Sequence, residues 1–246
     1  MKTYKLTMEY DGTHYHGWQI QAGDITIQET LEKALSLMTG ETVRVEGSGR
    51  TDAGVHALGQ TASFKTDTRI PPEGFQAGLN SLLPEDIVIL GCEEVKNDFH
   101  ARFSAKTKTY QYRIYNQFLP LAVGRQYAWH IRKPLDVPAM TRAAAHLIGT
   151  HDFKSFEGAG SPRPHTVRTV LEAGVEKTGD GFVLFDITAD GFLRYMVRNL
   201  VGTLVDVGTG KIPPERFKEI LEAKNRDLAG ATAPARGLFL VAVRYE

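Results

Sequence analysis

One rhythm of elements runs through this chain twice, and few folds accommodate it. Residues 2–10 alternate, with Tyr4, Leu6 and Met8 on one side and Lys5, Thr7 and Glu9 on the other. A period of two is the mark of a half-buried strand, and Asp11-Gly12 ends it. Thr26-Ile27-Gln28-Glu29 has the form of a capping box. The helix it opens carries Ile27, Leu31, Leu35 and Met38 on one face and stops at Gly40. Short strands are expected at 42–46 and 60–64, a helix at 71–82 behind the Pro71-Pro72 pair, and a buried strand at 87–90. The second half repeats the order. Strand 107–115 sets Tyr110 and Tyr112 on one face, and helix 138–148 turns Met140, Ala144, Leu147 and Ile148 inward. Strands follow at 167–175 and 182–188, then a buried helix at 192–207, an amphipathic helix at 213–223 and a closing strand at 238–245. Strand–helix–strand–strand–helix–strand is a split βαβ unit. Two of them predict an α+β protein, and 246 residues leave room for two domains of about 100–150 residues each. The boundary is expected near 97–106, with 1–100 in the first domain and 101–246 in the second.

Other classes drop out. An apolar content of 42% with 24% charged residues is that of a globular chain, not a disordered or collagen-like one. No run of about 18 apolar residues exists to span a membrane, and the N-terminal residues lack the apolar core of a signal peptide. The single cysteine, Cys92, has no internal partner, so a reducing, cytoplasmic location is the expectation.

The net charge is zero, but it is unevenly spread. Residues 1–98 hold 8 bases and 15 acids, while residues 99–246 hold 21 bases and 14 acids. Between Asp98 and Asp136 there is no acid, yet Arg102, Lys106, Lys108, Arg113, Arg125, Arg132 and Lys133 lie there. Such asymmetry points either to a basic face for nucleic acid or to pairing of domains or subunits by opposite charge.

The stretch Gly47-Ser48-Gly49-Arg50-Thr51-Asp52-Ala53-Gly54-Val55-His56-Ala57 concentrates glycine with an arginine, an aspartate and a histidine. Read from the residues alone, it is either a tight loop with Asp52 in an Asx turn paired to Arg50 or a site. It lacks the lysine of a phosphate loop. Asp52 and His56 alone are too few for a zinc site. A Ser48–His56–Asp52 triad is conceivable, but the Gly-x-Ser-x-Gly elbow is missing.

This stretch resembles the signature of the tRNA pseudouridine synthase A (TruA) family. Further segments resemble that family in the same order. They are Tyr10-Asp11-Gly12 with Tyr15, Gly17, Trp18 and Gln19, then Phe99–Ala105 and Lys108–Arg113. Gly149, His151-Asp152-Phe153 and Ser155-Phe156 follow, and Phe192–Asn199 with Gly202 closes the series. The resemblance implies a merged, mainly antiparallel sheet with a central active-site cleft. It also implies an isomerase that converts uridine to pseudouridine at positions 38, 39 and 40 of the tRNA anticodon stem-loop, as a homodimer, without metal or other cofactor. It makes Asp52 the catalytic aspartate, Tyr110 the aromatic wall for a flipped uracil, and Arg194 the cationic partner of Asp52. An arginine in so apolar a segment is expected to be buried and paired. Arg50 is expected to contact RNA, and His56 beside it is counted among the substrate-binding residues, in a structural rather than a catalytic role. Arg102, Lys106, Lys108, Arg163 and Arg168 are candidates for phosphate contacts. Two other functions remain: a non-catalytic RNA-binding module of the same fold, and a hydrolase using Ser48, His56 and Asp52.

Overall fold

The computed structural model describes residues 1–158, 160 and 165–246. Ten strands and five α-helices follow along the chain: β1 (Lys2–Tyr10), α1 (Ile27–Thr39), β2 (Val45–Gly47), β3 (His56–Thr66), α2 (Pro72–Leu82), β4 (Ile87–Val95), β5 (Thr107–Tyr115), β6 (Trp129–His130), α3 (Val137–Ala145), β7 (Gly149–Asp152), β8 (Val167–Lys177), β9 (Phe182–Ala189), α4 (Met196–Gly208), α5 (Pro214–Glu222) and β10 (Leu238–Arg244). The fold is α+β, and all but two of the strand pairings described are antiparallel. The chain forms two compact units, one of residues 1–106 with 239–246 and the other of residues 107–238.

In the first unit β1 lies between β3 and β4, antiparallel to both. One edge of β3 is shared: β10 pairs in parallel with its start at His56 and Ala57, and β2 pairs antiparallel farther along, at Ala62–Phe64. The apolar side of β1 holds Tyr4, Leu6 and Met8, all buried with Ile27, Leu31 and Leu35 of α1 and Phe75 and Leu79 of α2. Tyr4 stacks on Phe64 at 5.3 Å and tilts against Phe75 at 4.9 Å. Helix α1 starts and stops as its sequence dictates. Thr26 accepts the Glu29 N–H, and Gly40 takes the left-handed conformation, φ +73°. The other face of the sheet buries Thr3, Thr61 and Ser63. Chain from both ends of the unit meets there: Ser63 Oγ accepts the Ala101 N–H, and the Tyr245 hydroxyl donates to the Ala101 carbonyl at 2.8 Å.

In the second unit β9 lies between β5 and β8, β7 pairs with β8, and β6 adds to β5 in parallel. Tyr110, Tyr112 and Ile114 alternate on the buried side of β5, as Val183, Phe185 and Ile187 do on β9. Helices α3, α4 and α5 pack on one another, and α3 lies on β8. Phe217 of α5 stacks on Phe156 at 5.6 Å.

Several elements differ from expectation. The strand 87–90 is half-buried, not buried: Ile87 and Ile89 point in, but Val88 and Leu90 are exposed. As β4 is bonded only to β1 within its unit and backed by α2 on one face, its second face meets water. Helix α3 ends at Ala145, leaving Ile148 exposed while Leu147 stays in the core. The helix expected from Phe192 begins at Met196, because Tyr195 sits at φ +59° and breaks the helical path. Strand β2 begins three residues later than expected, and β3 runs four residues farther toward the glycine-rich loop. The two-residue β6 and four-residue β7 are too short to leave a periodicity. Among the described residues no helix is long and apolar enough to cross a membrane.

Candidate active site

The loop from β2 to β3 carries Asp52, and nearly every other residue in it is tied down. The Ser48 N–H donates to the Thr61 carbonyl at 2.7 Å. Gln60 Nε2 donates to the Gly49 carbonyl at 3.0 Å. The Trp18 N–H donates to the Thr51 carbonyl, and the Gly54 N–H to the Tyr15 carbonyl. Tyr10 Oη and Thr51 Oγ1 lie 2.8 Å apart. Two glycines make this close approach possible. A Cβ on Gly17, which sits at φ +87°, would lie 2.6 Å from the Thr51 carbonyl oxygen, and one on Gly12 would run into the carbonyl oxygen of Val55. The segment after β1 is thus laid directly along the loop backbone. Ser48, Thr51 and Val55 are buried, Asp52 is half-buried, and Arg50 and Ala53 face solvent.

This arrangement removes the hydrolase. Ser48 is fully buried and its hydroxyl donates to Gln60 Oε1 at 2.7 Å, so it cannot meet a substrate carbonyl. His56 is only 1% exposed and stacks on Phe239 at 4.7 Å. Its Nδ1 lies 3.1 Å from the Gly12 N–H and 3.0 Å from Asp11 Oδ1. These contacts are alternatives, since an unprotonated Nδ1 accepts from Gly12 and a protonated one donates to Asp11. Either way the ring braces the end of the loop against the end of β1 and has no surface to offer RNA.

In the second unit Tyr110 projects from β5 on the side of Tyr112 and Ile114. It is 7% exposed and meets Phe192 edge-on at 4.9 Å. Lys108 lies two residues earlier on the same side and is half-buried. The segment before α4 overturns one expectation: Arg194 is exposed, not buried. Its Nη2 donates to the Tyr195 hydroxyl at 3.1 Å, and its guanidinium lies 4.7 Å from that ring's centre. Arg198, in the first turn of α4, is half-buried. Its Nε donates to the Ala233 carbonyl at 2.8 Å, and its guanidinium also lies against Tyr195, at 4.9 Å. The positive charge of Arg198 pulls down the Tyr112 phenol, which burial pushes far up. The expected burial falls one turn later, at Arg198. The left-handed Tyr195 that separates the two environments left no composition signal.

The remaining basic candidates are scattered. Arg102 is exposed beside the exposed Phe103 ring, 5.4 Å away, with His100 against that ring at 4.4 Å. Lys106 is exposed. Arg168 is half-buried, and its Nη1 donates to the His165 and Val167 carbonyls. Arg163 lies outside the described residues. Tyr10, Trp18 and Gln60, which hold the loop, were not foreseen in that role. Among the described residues no cluster of three or more His, Cys, Asp or Glu is placed to hold a metal ion.

Comparison with known proteins now bears on this geometry. A family model described as tRNA pseudouridine synthase matches residues 6–104 and 143–246. The matched stretches include Asp52, Arg194 and Arg198, and Tyr110 falls between them. The chain is 52% identical over 247 residues to tRNA pseudouridine synthase A of Moorella thermoacetica, covering all of both chains. It is 49% identical over 245 residues to the protein of that name in Thermoanaerobacter sp. strain X514, and 48% to that of Clostridium acetobutylicum, again over both full lengths. With two family stretches that span most of the chain and full-length relatives at about half identity, the chain belongs to the tRNA pseudouridine synthase family.

Proposed function

We propose that this protein isomerises uridine to pseudouridine in tRNA, at positions 38, 39 and 40 of the anticodon stem-loop, with Asp52 as the catalytic carboxylate. It works in the cytoplasm as a homodimer, and its own side chains supply the chemistry. The observation that carries the reading is the Asp52 loop: a half-exposed carboxylate on a segment whose flanking residues are pinned by backbone and hydroxyl contacts. In the reaction the bond from ribose C1′ to uracil N1 breaks and one from C1′ to C5 forms. C5 loses a proton and N1 gains one, so substrate and product are isomers. A carboxylate can attack the sugar carbon, add to the ring, or stabilise the departing sugar cation. Each role requires it ionised.

The target base must leave the stack to be reached. Tyr110, already edge-on to Phe192, provides a face on which uracil stacks. The cation that keeps Asp52 ionised comes from the segment before and into α4. Arg198 suits that role better than Arg194, because it is half-buried and anchored by the Ala233 carbonyl and the Tyr195 ring. Arg194 faces solvent and, with Arg50, Arg102, Lys106, Lys108 and Arg168, serves phosphates. The test is pseudouridine mapping on unmodified tRNA incubated with purified wild-type and Asp52→Asn protein. Pseudouridine at 38–40 with the wild type alone supports the reading. Its absence with the wild type, or formation elsewhere in the tRNA, overturns the activity or the positions respectively.

A further inference from the structure

The geometry points to Tyr10 and Thr51 as positioning residues for Asp52, acting through a buried chain of neutral hydrogen bonds that ends one residue before the carboxylate. The inference rests on the function proposed above. A β-bulge between Met8 and Tyr10 shifts the register of β1 on β3, so Met8 stands opposite Gln60 and Tyr10 opposite Ala57. The Tyr10 ring, 4% exposed, continues the buried side of β1 and lies 6.4 Å from Trp18. Gln60 is fully buried. The Gly49 carbonyl can only accept and the Thr61 N–H can only donate, so they fix its amide: Nε2 faces Gly49 at 3.0 Å and Oε1 faces Thr61 at 3.1 Å. Nε2 then also donates to Tyr10 Oη at 3.3 Å, and Ser48 Oγ donates to Oε1 at 2.7 Å. A buried phenol that accepts from Gln60 must place its own proton, and Thr51 Oγ1 receives it at 2.8 Å.

The direction of every bond is thus set, from Ser48 through Gln60 and Tyr10 to Thr51. With the Thr51 carbonyl held by Trp18, both the side chain and the backbone of the residue before Asp52 are fixed. The chain holds no charge at neutral pH, since burial pushes the Tyr10 phenol up to about 12 against the pull of Thr51 and Gln60. It therefore orients the carboxylate without titrating beside it. Misplacing a reacting group by about 1 Å costs on the order of a hundredfold in rate.

The experiment uses full-length protein and unmodified tRNA with Tyr10→Phe, Thr51→Val, Thr51→Ser and the Tyr10→Phe/Thr51→Val double variant. Phe217→Leu, in the core around α5, serves as a control for plain destabilisation. Tyr10→Phe and Thr51→Val are expected to lower kcat roughly ten- to a hundredfold, with KM for tRNA and the pH profile unchanged. Thr51→Ser, which keeps the hydroxyl, stays near wild type, and the double variant is no worse than the poorer single one. Amide hydrogen exchange in residues 48–55 quickens in Tyr10→Phe but not in Phe217→Leu. A loss of kcat equal to that of Phe217→Leu at the same melting temperature, a rise in KM alone, or unchanged exchange in the loop overturns the inference. Wild-type protein that makes no pseudouridine would sink the functional reading instead, while the exchange result still decides whether Tyr10 positions the loop.

Discussion

In the first unit, the middle of the Asp52 loop is held by neutral groups, namely backbone carbonyls and N–H groups from residues 15–18, a phenol, an amide and two hydroxyls, while its end at His56 is braced on Asp11. In the second unit, Arg194 and Arg198 are held by stacking on Tyr195 and by contacts to oxygen, and Tyr195 itself sits in a strained left-handed conformation. The units also differ in charge. The first has 11 bases and 16 acids, and the second has 18 bases and 13 acids. One split βαβ plan thus serves two tasks. A carboxylate that must stay ionised and aimed is best fixed by dipoles, which neither titrate nor compete for it. A guanidinium that, on the proposed reading, must reach an anion is best oriented by an aromatic face and carbonyls, which add no competing charge.

The largest expected effect tests the division of labour itself. Asp52→Asn keeps size and loop contacts but loses the charge. Turnover should fall by about 10⁴ or more, with the melting temperature and tRNA affinity unchanged. Pseudouridine formation by folded Asp52→Asn, with contaminating wild type and deamidation excluded by mass spectrometry, would end the assignment. Next comes the choice between the two arginines. Arg198→Ala should cost on the order of 10²–10³ in rate. On the proposed pairing, removing this cation raises the Asp52 pKa, so activity should appear only at higher pH. Arg198→Lys should fall between, because the point charge remains but the fork is lost. Arg194→Ala should keep the wild-type pH profile and lose only a few-fold in rate; the reverse pattern in pH–rate curves would return the role to Arg194.

A third pair compares backbone contacts across the units. In Gly12→Ala the new methyl must displace Val55 at the base of the Asp52 loop, and in Gly202→Ala it must displace Ala231 beside α4. Both should lower the melting temperature. Gly12→Ala alone should also cut kcat, by about 10² at constant tRNA KM, and equal kcat in both variants measured below their transitions would contradict a dedicated clamp. Tyr110 is smaller again. Tyr110→Leu should lose roughly 1–3 kcal/mol of transition-state binding if uracil stacks there, whereas Tyr110→Phe keeps the face; single-turnover rates separate stacking from any need for the hydroxyl. The smallest effect is Arg102→Ala. It should weaken tRNA binding a few-fold and reduce the salt dependence of affinity by about one ion, and an unchanged slope in filter binding would remove Arg102 from the RNA face.

Much of this was legible in the residues. The alternation in 2–10, the capping box at Thr26 and the stop at Gly40 are local signals, and the structure places β1 and α1 where they predict. Motif resemblance singled out the Asp52 loop because its residues are contiguous in sequence. The exposure of Arg194 was not legible, because apolar neighbours say that a segment is buried without saying which way each side chain leaves it. One residue at φ +59° turned Arg194 outward and started α4 in time to carry Arg198 on its inner turn.

By itself, then, the sequence determined what depends on neighbours within a few residues: element type, helix ends and the α+β class, and it singled out the loop proposed to react. The tertiary structure alone decided what depends on register and backbone handedness. Tyr10, Thr51 and Gln60 meet because β1 pairs with β3 and the loop folds back over that pair, and no spacing in the chain encodes that meeting. Gly12 and Gly17 acquire a purpose only when the loop backbone lies against them. The physical reason is range. Propensity and periodicity act over a few residues, whereas the aim of a charged or hydroxyl group is fixed by the strands that pairing brings beside it.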